Sequence, residues 1–282
     1  MSTKGIEDLK TEYEKGRGKE NKRLARIESV RKEFVQNFPV QNIHEMKIEE
    51  YVVGLPTNYG NRNSHSFCNW LENKTEECGV MHIRSSGDFY LFYSVDEKSY
   101  MVQDGRGIKK IVKDATIVLF EELKIKIERL LRTVKIGDNS AIQSAYEELP
   151  LQDHVKAKIL YMYFPDMFLN VFSSHWIDWY LKSLGLQTEN SSFEGRKSLM
   201  EFKKRDITIS KWSTQQFAEF LYDSFTPPDI GTRKEMSKRK KELLDKKKDF
   251  EERLIGGVDN IENDKKMYEK IAEIDKQLED LP

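Results

Sequence analysis

Hydrophobic positions along the chain change their period several times, and each change marks an element. Leu24, Ile27, Arg31 and Phe34 fall on one face of a charged segment from about Thr3 to Phe38, which predicts a helix with a narrow apolar stripe. Gly16 and Gly18 divide that segment, and the Phe38-Pro39 step ends it. Phe67, Trp70, Leu71 and Cys78 then keep helical spacing, with Gly79 as the stop. The period drops toward two in Val80 to Arg84, Phe89 to Ser94 and Ser99 to Gln103, which predicts three short strands in an antiparallel meander that the preceding helix covers.

From Thr116 to Val134, Phe120, Leu123, Ile127, Leu130, Leu131 and Val134 repeat at steps of three and four, the rhythm of a buried helix face. Ser213 with Gln216 three residues on forms a capping box for a helix over Thr214 to Phe225. The aromatic-rich stretch KILYMYFPDMFLNVFSSHWIDWYLKSLGL, from Lys158 to Leu186, raises the choice between a binding platform and a core. Its aromatics recur at core spacing between Pro and Gly punctuation, so the reading is that they bury one another.

After Thr226-Pro227-Pro228, Met236, Leu243 and Phe250 stand seven apart, and Met267, Ile271, Ile274, Leu278 and Leu281 alternate four and three apart. That is a heptad seam on each side of Gly256-Gly257. The first arm is basic and the second acidic, which predicts an antiparallel helical hairpin. The fold expected is α+β and predominantly α. Its parts are a charged N-terminal helical segment at 1–38, a small α+β domain at 39–113, a helical domain at 114–226 and a coiled-coil hairpin at 227–282.

Composition narrows the function. The 282 residues are 38% hydrophobic and 34% charged, with a formal net charge of -1. A strong basic excess, the usual mark of a dedicated nucleic-acid binder, is missing, so any such affinity must come from a local patch. No apolar run reaches the roughly 20 residues of a membrane span, and the N-terminus lacks the apolar core of a secretory signal. No membrane partner and a cytoplasmic location are expected. Two cysteines imply no disulfide framework.

Catalytic motifs are incomplete. The phosphate-binding P-loop is missing, and Gly105-Arg106-Gly107 is too short to cradle a phosphate. His65, Cys68, Cys78 and His82 are zinc-type ligands, but a ten-residue helix would hold the cysteines roughly 15 Å apart. Glu72-Asn73-Lys74 has a nuclease-like E-x-K shape on a helix rather than a strand, and His175 with Asp178 reads as a satisfied pair near a helix start. No catalytic residue, metal or cofactor is therefore assigned. The remaining chemistry is a basic surface. Arg84, Arg106, Lys109 and Lys110 on or after the meander, with Arg62 in the preceding polar loop, would contact phosphates, and Tyr90, Phe92 and Tyr100 would contact bases. The competing reading is a solvated edge on a half-buried sheet.

The Lys158 to Leu186 stretch also resembles a segment upstream of the motor in McrB-like AAA+ proteins of modification-dependent restriction systems. SFCNWLENKTEECG and KWSTQQFAEFLYDSF look like two further helices of that region, and the likeness spans about Glu33 to Phe225. It implies a specificity or regulatory region that contacts DNA, with the motor and nuclease supplied separately. This chain carries no motor. The expectation is a non-catalytic DNA-recognition or regulatory module of a restriction-type defence system. Its partners would be double-stranded DNA and a motor or nuclease subunit, or a second copy held through the hairpin. The rivals are a structural interaction module that binds no nucleic acid, and a metal-dependent nuclease with a degenerate site.

Overall fold

The computed structural model describes residues 5–16, 21–56, 65–79, 81, 85–104, 107–225, 239, 241–250 and 261–279. Helix α1 spans Ile6–Gly16 and α2 spans Asn21–Asn37. The expected Leu24 stripe points inward on α2, where Ile27 and Phe34 are buried. Phe34 meets Phe67 at 5.4 Å and Tyr163 at 5.7 Å between ring centres, which sets α2 against the middle of the chain.

The α+β, predominantly α architecture is present. The sheet is a three-stranded antiparallel meander in the order β1 (Leu91–Ser94), β2 (Ser99–Asp104) and β3 (Gly107–Ile111). It is displaced from the expected one. Met81 is not in a strand, and Val80 and residues 82–84 lie outside the described residues. The third strand is instead GIKKI. Only the two ends of β3 are half-buried, so its residues show no inside-outside alternation to read. The segment from Phe67 to Cys78 is helical except for a turn at Thr75, and it is irregular. An α-turn at Phe67–Asn69 passes into a π-type turn at Trp70–Lys74 and a 3-10 turn at Glu76–Cys78.

The long helix α3 covers Lys113–Ile136 and buries all six positions of the expected apolar face. It is followed by α4 (Asn139–Glu148), α5 (Asp153–Tyr163), α6 (Ser174–Ser183), α7 (Ser192–Arg205) and α8 (Thr214–Ser224). The capping box at the start of α8 is formed in both directions, with Gln216 N–H donating to Ser213 Oγ at 3.1 Å and Ser213 N–H to Gln216 Oε1 at 2.8 Å.

Two cores share the main body. One gathers residues from Ile27 to Phe172, so it joins the segment expected at 39–113 to α3, α4 and α5. The other holds Tyr13 of α1 and residues from Leu169 to Leu221. The aromatic-rich stretch serves both. Leu160 and Tyr161 belong to the first core, and Trp176 and Tyr180 to the second. Buried lysines tie loops to helices by spending their protons on carbonyls. Lys158 donates to Thr75 O at 2.9 Å and Gly79 O at 2.5 Å, and Lys124 to His44 O at 3.0 Å and Met46 O at 3.1 Å.

Helical residues 241–250 and helix α9 (Ile261–Glu279) form the hairpin. Leu243, Ile274 and Leu278 are buried together with Phe250 packed on them. Lys247 pairs with Asp275 at 2.6 Å, and Lys270 sits over the Phe250 ring at 5.4 Å. Moving forward on one arm moves backward on the other, so the arms are antiparallel. Met236, Gly256-Gly257 and Leu281 lie outside the described residues.

Candidate functional site

The residues expected to contact DNA divide into two groups. Arg62, Arg84 and Arg106 lie outside the described residues. Lys109 and Lys110 are exposed on β3, which is an edge strand. Neighbouring residues of a strand point to opposite faces of the sheet. Lys109 lies opposite Val102, which pairs with Leu91 on the core-facing side, whereas Lys110 lies opposite Met101. The two lysines therefore do not form one patch. Lys110 also reaches Glu97 Oε2 at 3.3 Å and donates to Glu97 O at 3.2 Å, so part of its charge is already met.

The sheet aromatics are committed to packing. Phe92 is buried, Tyr90 and Tyr100 pack against the first core, and Tyr100 stands edge-on to Tyr93 at 5.4 Å. Tyr90 adopts φ 69, an uncommon value for a residue with a bulky side chain. Its N–H donates to Gly87 O and its carbonyl accepts from Gln103 N, both at 2.8 Å, so the backbone is pinned from both sides.

Glu72, Lys74 and the two cysteines are held in other ways, and His82 lies outside the described residues. Burial pushes the Glu72 carboxyl up, and Lys74 Nζ stacks 4.5 Å from the Trp70 ring centre. Cys68 and Cys78 are fully buried free thiols, and burial pushes both up, away from the thiolate that zinc requires. Among the described residues no three His, Cys, Asp or Glu side chains are placed to hold a metal. His175 and Asp178 both lie on an exposed face of α6.

A different site is built where α4, α5 and α7 meet the loop after α5. A cleft of about 130 Å³ opens there. Ile142, Leu160, Leu169 and Met200 form its buried floor, Phe168 and Phe193 its half-buried walls, and Lys197, Glu201 and Lys204 its rim. Phe193 packs on Tyr146 with ring centres 4.5 Å apart. Beside the cleft, Arg196 is buried and spends its donors on the fold. Its Nε donates to Val171 O at 2.9 Å, and its Nη2 to Phe172 O at 3.1 Å and Asp153 Oδ2 at 2.7 Å. Asp153 also accepts from Ser192 Oγ at 2.6 Å and from the Tyr146 hydroxyl.

Burial alone would raise the Asp153 carboxyl. The charge of Arg196 and the hydrogen bonds from Arg196, Ser192 and Tyr146 outweigh it and hold the carboxyl at about 2. A depressed carboxylate stabilises the fold above its unfolded value near 3.8 and loses that contribution as pH falls through its folded value. The Asp153 side chain is 41% exposed, so solvent screening leaves about 1 kcal/mol of the gain. Asp153→Asn is therefore expected to lower the unfolding free energy by about 1 kcal/mol at pH 7. The gap to the unsubstituted chain should close as pH drops from about 4 to about 2, measured by urea unfolding at stepped pH. A gap that stays constant over that range would contradict the assignment.

The cleft offers shape and charge without an activated nucleophile or a poised acid-base pair. Its volume admits one six-membered ring. Its rim places two cations beside that ring, one of them half-committed because Lys197 lies 3.3 Å from Glu194. Sequence spacing could not have revealed it, because its walls come from residues far apart in the chain. No helix among the described residues is long and apolar enough to cross a membrane. Comparison of the chain with protein-family models, with curated proteins and with solved structures finds no match.

Proposed function

We propose that this chain is a non-catalytic DNA-recognition or regulatory module of a restriction-type defence system. The observation that carries the reading is the cleft, in which aromatic walls and an apolar floor lie beneath Lys197 and Lys204. Aromatic faces would stack on one base turned out of the duplex, and cations at the rim meet the flanking phosphates. The resemblance of the Lys158 to Leu186 stretch to the McrB-like family supports the same reading, since that stretch supplies Leu160, Phe168 and Leu169 of the cleft. Lys109 and Lys110 lie just before α3, whose 24 residues run roughly 35 Å before the chain turns toward the cleft. They lie apart from the cleft and are not part of the proposed contact.

Fluorescence anisotropy with the full chain and labelled duplexes, modified and unmodified, tests this. Lys197→Ala with Lys204→Ala is expected to weaken every duplex about tenfold or more, because phosphate contacts are sequence-independent. Phe193→Ala is expected to weaken binding and to flatten any preference between modified and unmodified duplexes. Full affinity in both cleft variants, with loss in Lys109→Ala/Lys110→Ala, would move the contact to the sheet edge and reject the cleft.

A further inference from the structure

We propose that the outer face of α3 is a self-association surface on which two copies of this chain pack the helix antiparallel about a twofold axis. This is independent of the DNA reading and uses a different surface from the C-terminal hairpin. Val118, Glu122, Ile125, Arg129, Arg132 and Ile136 step by four and three along the helix, so they line one face. That face is opposite the buried one. Val118 is 59% exposed, Ile125 64% and Ile136 80%, an unusual run of large aliphatic side chains in water on one helix. Val112, 72% exposed, stands at the N-cap of the helix.

Charge on this face decides what covers it. Its exposed acids, Asp114, Glu121 and Glu122, are in the first half, with Glu121 already paired to Lys124 at 2.8 Å, and its exposed bases, Arg129 and Arg132, are in the second, where Glu128 is half-buried. A parallel neighbour would set like charges together, whereas an antiparallel second copy sets each half against its opposite. A twofold contact is self-complementary by construction, and this segregation meets that condition. With Val118 against the partner's Ile136, the same register places Glu122 against the partner's Arg132. It also places Ile125 on the aliphatic stem of the partner's Arg129. Arg129 already pairs with Glu148 at 2.6 Å and Arg132 with Glu128 at 2.5 Å. The Arg129–Glu148 pair is 55% and 43% exposed, contributes little and can exchange partners, whereas Glu128 is only 15% exposed, so Arg132 must turn away from it to reach a second copy. An interface built on one helix face sits at the small end of the size range for specific contacts, so association is expected near micromolar concentration.

The test is light scattering after size exclusion, run on the full chain over a concentration series, with circular dichroism to confirm that each variant folds. A concentration-dependent dimer is expected. Ile125→Asp should weaken it about tenfold or more, the equivalent of one lost apolar contact or ion pair. Glu122→Arg alone and Arg132→Glu alone should each weaken it, and the two together should restore it, because the swap recreates the pairing. Val118→Cys with Ile136→Cys should give a covalent dimer on mild oxidation, since Cys68 and Cys78 are buried. A chain that stays monomeric throughout, or a dimer indifferent to all of these changes, would overturn the proposal.

Discussion

Arg196→Ala is expected to lower the unfolding free energy by about 3 kcal/mol or more, because it removes a buried guanidinium that donates to two carbonyls and a carboxylate. Arg196 is buried, and its side chain is only 4% exposed. Its guanidinium binds the carbonyls of Val171 and Phe172, where the chain passes from one core to the other. Alanine would leave both carbonyls without this donor and the Asp153 carboxylate with only Ser192 and Tyr146 to donate to it. For a body of this size the loss corresponds to a fall in melting temperature of about 6 °C or more. Asp153→Asn keeps the carbonyl contacts and costs only about 1 kcal/mol, so the two variants should differ threefold. Equal losses would mean that the ion pair, rather than the carbonyl clamp, dominates. A loss below 1 kcal/mol in Arg196→Ala would contradict the clamp altogether.

Gly54→Ala is expected to destabilise the chain by about 3 kcal/mol, through backbone strain and a clash together. Gly54 has φ +89, and a Cβ there would overlap the Tyr93 carbonyl oxygen. That carbonyl belongs to β1, and the Tyr93 N–H donates to Val53 O at 3.1 Å. Two backbone segments are thus in register at van der Waals distance, and neither can give without breaking the hydrogen bond. Gly137→Ala supplies the control. Gly137 has φ +85 with nothing within 4 Å of its would-be Cβ, so it bears the strain without the clash and should cost about 1 kcal/mol. Thermal unfolding of both variants reads the difference. Equal shifts would contradict a close approach of β1 to Gly54.

Helices were legible where one face is buried by the body of the chain. Phe120, Leu123, Ile127, Leu130, Leu131 and Val134 keep their period because a single core covers them all. The hairpin was legible for the same reason, since its seam repeats. The strand β3 was not, because Ile108, Lys109 and Lys110 face water at the sheet edge and leave no alternation. The aromatic stretch was legible as mostly core, with Trp176 and Tyr180 wholly buried, but its division between two cores was not. That division depends on the Arg196 clamp, whose partners are 24 to 50 residues away. The cleft was illegible for the same cause. Phe193 and Lys197 look like one face of a charged helix until Tyr146, Phe168 and Leu160 are brought against them.

The central claim is DNA recognition by a chain whose overall charge gives no reason to expect it. The most direct measurement is the affinity of the full chain for a labelled duplex at two salt concentrations, about 50 and 200 mM, where each phosphate contact steepens the dependence. Binding that falls several-fold with salt, with a slope reduced in Lys197→Ala/Lys204→Ala, is the predicted result. No binding at the lower salt, to modified or unmodified duplex, would contradict the account and leave the chain as a protein-interaction module.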